Sequence, residues 1–339
     1  MRSKIRAVGV TASVVGLLTL AACGGSSSGA TDNKSVSVVG FSVLQTANQK
    51  VFKDFQDTPA GKGVKFTTAY GASGDESRAV ASGLKADEVH LSLEPDVTKL
   101  VDAGIVPKNW NAGSNHGVLT QSVVSFVVRK GNPKHIHSWA DLTKPGVKIV
   151  TPNPGSSGSA KWNILAAYGQ ELAQGGSPAQ GQAYLKKFFK NVAAMPSSGH
   201  DATTAFESGT GDVLLSYENE AIEARQSGAN FDYMVPDQTL LIQNTGALTK
   251  EATPSAKDFY KFQTSKAGQT DYAEEGFRPL QSSIHVPVKG ANDPSNPFPQ
   301  PKTLMTIDKN FGGWASADTK FFDDNNGIVT KIMAETGKS

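Results

Sequence analysis

At 339 residues the chain has room for two domains or one large one, and its formal net charge is only +2. The charge is too evenly balanced to build a basic field for nucleic acid or for a charged membrane surface. Its single cysteine, Cys23, excludes disulfides within the chain and any multi-cysteine metal site.

The first residues read as an export signal. Arg2, Lys4 and Arg6 form a basic start, residues 7–20 an apolar core, and Leu20-Ala21-Ala22-Cys23 a small-residue cleavage site. The apolar stretch is too short for a spanning helix. Leu-Ala-Ala-Cys resembles the lipobox of bacterial lipoproteins, which implies cleavage before Cys23 and acylation of its thiol and new amino terminus. The alternative is a plain secretory signal with an incidental cysteine. Residues 1–22 are then a signal peptide and residues 23–35, rich in Gly and Ser, a flexible tether. Losing the three basic residues shifts the formal charge from +2 to about −1. The membrane is then met only through the lipid.

Beyond the tether, residues 36–41 read as a first strand, followed by a helix carrying Val51, Phe52 and Phe55 at helical spacing. A strand over 64–68, a helix over 78–84, a strand over 88–93 and a helix over 96–103 continue a βαβα rhythm. That rhythm argues for a mostly parallel sheet with helices on both faces. Residues 118–129 are strongly β-forming and long enough to pass from one domain into a second. Further strands fall at 147–150, 212–217 and 231–235, and a helix at 183–190. Residues 255–275 read as a long helical region, 287–301 as a Pro/Asn-rich loop and 315–323 as a closing helix.

Two Gly/Ser turns lie where a strand ends and a helix begins. The first is Gly71-Ala72-Ser73-Gly74; the second, in the stretch from Asn153 to Trp162, is Ser156-Ser157-Gly158-Ser159. Ligands of open α/β sheets bind at such carboxyl ends, and a helix start offers N–H groups and a favourable dipole to an anion. Ser73-Gly74-Asp75-Glu76 equally fits a capping box, in which serine and glutamate satisfy each other's backbone donors. Neither turn matches a nucleophile elbow or a P-loop. The six histidines (His90, His116, His135, His137, His200 and His285) are scattered, and no pattern joins them to a serine.

With these residues in view, the chain resembles the periplasmic sulfate-binding proteins of ABC importers from about Val36 to the C-terminus. The matching motifs run in collinear order. They are Arg129-Lys130-Gly131-Asn132-Pro133-Lys134, Lys144-Pro145-Gly146-Val147 with Thr151-Pro152-Asn153-Pro154, and Phe188-Phe189-Lys190-Asn191-Val192. Gly211-Asp212-Val213-Leu214, Glu218-Asn219-Glu220-Ala221, Thr306-Ile307-Asp308 and Phe311-Gly312-Gly313-Trp314 complete the set.

The resemblance implies a bilobal α/β fold of the type II periplasmic-binding-protein class, two mixed sheets flanked by helices with a hinge of crossover strands. Residues 36–120 and 240–339 would form lobe I and residues 121–239 lobe II, with the ligand cleft between them. It further implies a binder, not an enzyme, that holds fully ionised sulfate by neutral hydrogen-bond donors and delivers it to permease subunits driven by a cytoplasmic ATPase. No cofactor, no metal and no nucleic acid are called for, and the binder would work as a monomer at the outer face of the cell membrane. Carried over position by position, Ser73, Ser157, Gly158, Ser159, Gly199, Tyr217 and Leu44 are the ligand-binding residues, with Lys161 behind the second turn and Cys23 the lipidation site. The departures from the family are Leu44 for an aspartate, Ser159 for a glycine, Lys161 for an arginine and Tyr217 for a tryptophan. The last matters most, because an indole N–H only donates whereas a phenol donates or accepts. Another oxyanion (thiosulfate, molybdate or phosphate) remains an alternative. An exported hydrolase using Ser73 or Ser157 would need a histidine within reach of one of them.

Overall fold

A computed structural model describes residues 34–338; the expected signal peptide, Cys23 and nearly all of the tether lie outside the described residues. The chain starts with β1 (Ser35–Phe41), whose valines alternate into the core, then α1 (Gln45–Gln56) and β2 (Lys65–Gly71). Next come α2 (Ser73–Ala81), β3 (Glu88–Leu91) and α3 (Glu94–Asp102). β2, β1 and β3 pair in parallel, as the rhythm predicts. All four residues of β3 are buried, so it runs through the middle of the sheet, and its carboxyl end emerges into the interior of the molecule.

β4 (Val118–Arg129) is the long strand anticipated. After it come β5 (Ile149–Val150), α4 (Gly158–Ala173), α5 (Pro178–Asn191), β6 (Val192–Ala194) and α6 (Gly199–Glu207). β7 (Val213–Tyr217), α7 (Glu218–Gln226) and β8 (Phe231–Met234) follow. A strand the sequence reading lacks, β9 (Gln238–Leu248), then runs back along β4. The order β2-β1-β3-β9-β4-β7-β5-β6 makes one continuous path in which two mixed portions are joined by the long antiparallel strands β4 and β9. Val118–Val123 of β4 pair with β9, whereas Val124–Arg129 pair with β7 and β8, so a single strand changes partners midway.

The remainder closes both portions. The expected helix over 255–275 is two helices, α8 (Pro254–Thr264) and α9 (Lys266–Glu274). They break at Ser265, whose extended backbone ends one and whose side chain accepts from Gly268 N–H to cap the other. β10 (Thr303–Met305) pairs with β9. In place of one closing helix the chain forms α10 (Ile307–Phe311), α11 (Trp314–Ala317), a π-turn over Asp318–Phe322 and α12 (Ile328–Thr336). α4 is buried almost all round, with Trp162, Ile164, Leu165 and Tyr168 in the main core, and it acts as the central pillar of its portion. Among the described residues no helix is long and apolar enough to cross a membrane.

Candidate functional site

The two Gly/Ser turns meet. Gly74 N–H donates to Ser156 O at 3.0 Å, tying the start of α2 to the loop before α4. The capping box expected at Ser73 does not form, because α2 begins at Ser73 itself with Ala72 as its N-cap. The Ser73 hydroxyl instead donates to Asp96 Oδ2 (2.7 Å) and accepts from Ser92 N–H (2.9 Å), so long-range partners replace the local one. Glu76 turns back toward Gly71, where an added Cβ would lie 2.3 Å from its Oε1. Burial, with Asp75 next to it, pushes its carboxyl up. Asp75 stays exposed and pairs with Arg78.

In the second turn the loop from Asn153 folds on itself, with Ser157 N–H donating to Asn153 O at 2.8 Å. Ser157 is the N-cap of α4, yet its side chain caps nothing and its hydroxyl makes no hydrogen bond among the described residues. Gly158 and Ser159 open the helix, and their N–H groups reach no acceptor in the described chain, as expected of a first helical turn. Gly158 packs so closely that a Cβ would stand 2.5 Å from Ser92 Oγ and 2.8 Å from Leu93 Cγ. Gly199 opens α6 behind its N-cap Ser198 and also donates to nothing. A Cβ there would meet Ser159 Oγ at 2.9 Å, Val43 Cγ2 at 3.0 Å and Glu220 Oε2 at 3.5 Å.

Tyr217 ends β7 with its side chain fully buried, and its hydroxyl lies 2.7 Å from Ser92 Oγ. Ser92, Ser159 and Asn244 surround that hydroxyl, and burial raises its pKa. Leu44, also fully buried, closes the 3-10 turn after β1 beside Val43. Six of the seven candidates thus belong to one contiguous cluster of strand ends and helix starts, and Leu44 flanks it through its neighbour Val43. Lys161 borders the gap between the turns, but its ammonium is engaged outside it. Its ammonium pairs with Asp318 Oδ1 at 2.5 Å and lies over the Phe322 ring, so it fastens α4 to the C-terminal segment.

Ser92, Asp96 and Glu220 are residues the sequence reading missed. Ser92, just past β3, is the hub: its N–H serves Ser73, its carbonyl accepts from Trp162 Nε1 (3.1 Å) and Asn244 Nδ2 (3.2 Å), and its hydroxyl meets Tyr217. The rule that ligands gather at strand carboxyl ends would have found it, since Ser92 follows β3 as Ser73 follows β2. Glu220 is buried beside Gly199; Ser216 Oγ donates to its Oε2, its Oε1 has no partner, and burial raises its carboxyl to about 7. Neither Ser73 nor Ser157 hydrogen-bonds a histidine among the described residues. Between the turns lies a gap of about 20 Å³ lined by Gly74, Ser157 and Gly158, with Arg78, Lys99 and Lys161 and the Asp96 carboxylate around it. The larger cavity of about 680 Å³, lined by Gln121, Leu241, Arg278 and Phe298, sits against the crossover strands and contains none of these residues.

Residues 36–278 match the model of the family described as bacterial extracellular solute-binding protein. The chain belongs to that family. This solute-binding protein is 36% identical to a sulfate-binding protein of Synechococcus elongatus, over 95% of this chain and 94% of the relative. It is 37% identical to a sulfate-binding protein of Salmonella typhimurium, over 84% of this chain and 87% of that one. Among solved structures it superposes on the sulfate-binding protein SubI from Mycobacterium tuberculosis H37Rv with a TM-score of 0.80 and 41% identity, over 86% of this chain and 100% of that chain. Its fold is the α/β architecture of the periplasmic binding proteins, a mixed sheet flanked by helices.

Proposed function

We propose that this chain is the extracytoplasmic substrate-binding component of an ABC importer, and that its ligand is sulfate. The observation carrying the proposal is the convergence of donors without acceptors, namely the N–H groups of Gly158, Ser159 and Gly199 and the Ser157 hydroxyl, at two buried helix starts. The sulfate-binding relatives support the same ligand. Burying a dianion is costly, and each charge-assisted hydrogen bond returns roughly 1.5–3 kcal/mol, so several must converge. The dipoles of α4 and α6 add to them. A donor-only site also rejects a protonated oxyanion, whose O–H finds no acceptor, by about 1–3 kcal/mol.

In this reading residues 36–120 with 240–339 form one lobe and residues 121–239 the other, and the two close over the ligand through bending of β4 and β9. Ser73 acts by positioning Ser92 and Asp96, and Leu44 through its backbone N–H in the first loop. Cys23 carries the lipid that holds the protein, as a monomer, at the outer face of the cell membrane. Sulfate passes from there to the transmembrane permease without chemical change, with neither cofactor nor metal. A second reading, a broader oxyanion binder, is favoured by the Tyr217 phenol, which can accept as well as donate. Calorimetry of the domain from residue 36 onward with sulfate, thiosulfate, molybdate and phosphate tests both. Failure to bind sulfate at millimolar concentration refutes the first, and phosphate binding as tight as sulfate establishes the second.

A further inference from the structure

A phenol among these donors poses a chemical problem. Its oxygen can turn its lone pairs to the ligand and admit a protonated oxyanion, unless something fixes the direction of its proton. The residues around Tyr217 supply that control. The Ser92 hydroxyl has one hydrogen-bond partner among the described residues, the Tyr217 oxygen at 2.7 Å. The other polar groups of Ser92 are already used, the N–H on Ser73 Oγ and the carbonyl by Trp162 and Asn244, so the residue cannot swing away. Gly158, packed against Ser92 Oγ and Cβ, blocks the opposite side. Ser92 is 1% exposed and Tyr217 fully buried, so water does not compete for either hydroxyl.

A hydroxyl proton with a single acceptor in reach points at that acceptor. Resting on the oxyanion-binding reading above, we propose that Ser92 is a specificity-determining residue. Its hydroxyl donates to the Tyr217 oxygen and so turns the phenol proton away from Ser92, toward the ligand and the Ser159 hydroxyl beside it. The Ser92–Tyr217 pair then does what an indole N–H does alone, and a lone pair of Tyr217 is withheld from any protonated ligand. Because each hydrogen bond in such a chain polarises the next, the Tyr217 donor is also stronger than an isolated phenol.

The test is calorimetry of the wild type, Ser92→Ala, Tyr217→Phe and the double variant Ser92→Ala/Tyr217→Trp, with sodium sulfate and with sodium phosphate, at a pH where phosphate is the hydrogen phosphate dianion. The wild type should prefer sulfate. Ser92→Ala frees the phenol to accept, and the sulfate-over-phosphate ratio should fall about tenfold, the factor that about 1.4 kcal/mol represents. The double variant should regain the preference, because an indole N–H needs no partner to orient it. Tyr217→Phe should weaken sulfate binding. Thermal melting without ligand verifies that each variant is folded. If the wild type binds sulfate and Ser92→Ala keeps the full preference, the assignment of Ser92 is overturned while the sulfate reading stands. If Ser92→Ala weakens both anions equally and the indole restores nothing, Ser92 only packs and the assignment is again overturned. A wild type that binds no sulfate overturns the oxyanion reading itself.

Discussion

Replacing Gly158 with alanine adds one methyl group at a place where three atoms already stand. The new Cβ would lie 2.5 Å from Ser92 Oγ, 2.6 Å from Ser92 Cβ and 2.8 Å from Leu93 Cγ, all well inside van der Waals contact. Gly158 has no positive φ, so the backbone itself accepts alanine without strain. As the first residue of α4 it would even gain slightly in helix propensity. The cost therefore arises only where α4 meets the segment after β3, that is, between the proposed lobes in their closed arrangement. Overpacking of this kind costs about 1–3 kcal/mol. Taking about 2 kcal/mol, sulfate affinity should fall roughly 30-fold. Neither proposed lobe is touched internally, so the ligand-free melting temperature should stay within a few degrees of the wild type. Calorimetry paired with thermal melting reads both quantities. Unchanged sulfate affinity would refute the closed contact, and an equal loss in ligand-free stability would show that the methyl group damages a fold rather than a closure.

Three other outcomes follow from polar and charged groups. Glu88 is wholly buried, accepts from Gln263 Nε2 at 2.6 Å on one oxygen and has no partner on the other; burial pushes its carboxyl from 4.5 to about 8. The folded state thus keeps a proton that the unfolded chain loses, so its contribution is present below about 4.5 and lost as pH rises through about 8. Stability to urea should fall on the order of 5 kcal/mol across that window, and Glu88→Gln should flatten the slope; an unaltered slope counts against it. Arg278 grips Glu218 in a bidentate pair (2.6 and 3.1 Å) beside Tyr217, both side chains buried. Arg278→Met alone should cost about 3–5 kcal/mol by denaturant titration, and adding Glu218→Leu should recover most of it. Lys161→Met, which removes the partly exposed Asp318 pair, should change sulfate affinity by less than about fivefold, since such pairs contribute about 0–1 kcal/mol. A larger loss would mean that the ammonium reaches the anion.

What the sequence revealed depended on how local the physics was. β4 was legible because twelve β-forming residues without helical period have few other fates. The two turns were legible because small residues at a strand-to-helix junction carry their own reason. β9 was not, because Gln238, Gln243, Asn244 and Gly246 dilute its apolar pattern. Two of them answer to distant partners: Asn244 holds the Ser92 carbonyl, and a Cβ on Gly246 would strike Leu119. The capping box at Ser73 failed for the same reason, since Asp96 and the Ser92 N–H, both nineteen or more residues away, outcompeted Glu76. Ser92 and Glu220 make sense only after the strand ends have been brought together.

The donors proposed to hold the ligand would also decide whether the proposed lobes rest open or closed. When the halves meet without an anion, the N–H groups of Gly158, Ser159 and Gly199 and the Ser157 hydroxyl are buried without acceptors. Each such group costs about 1–3 kcal/mol. Against this stand the direct closing contacts: Gly74 N–H to Ser156 O, Trp162 Nε1 to Ser92 O, Ser92 to Tyr217, and the longer His200 N–H to Ser42 Oγ at 3.4 Å. Net hydrogen bonds return about 0.5–1.5 kcal/mol apiece. The unsatisfied donors oppose closure until an anion satisfies them, so anion binding should shift the protein toward the closed arrangement. Small-angle scattering should accordingly show a ligand-free protein more extended than the closed arrangement, contracting as sulfate is added. A ligand-free radius of gyration already equal to the liganded one would mean that the direct contacts win alone, and that the donors are satisfied by something other than the ligand.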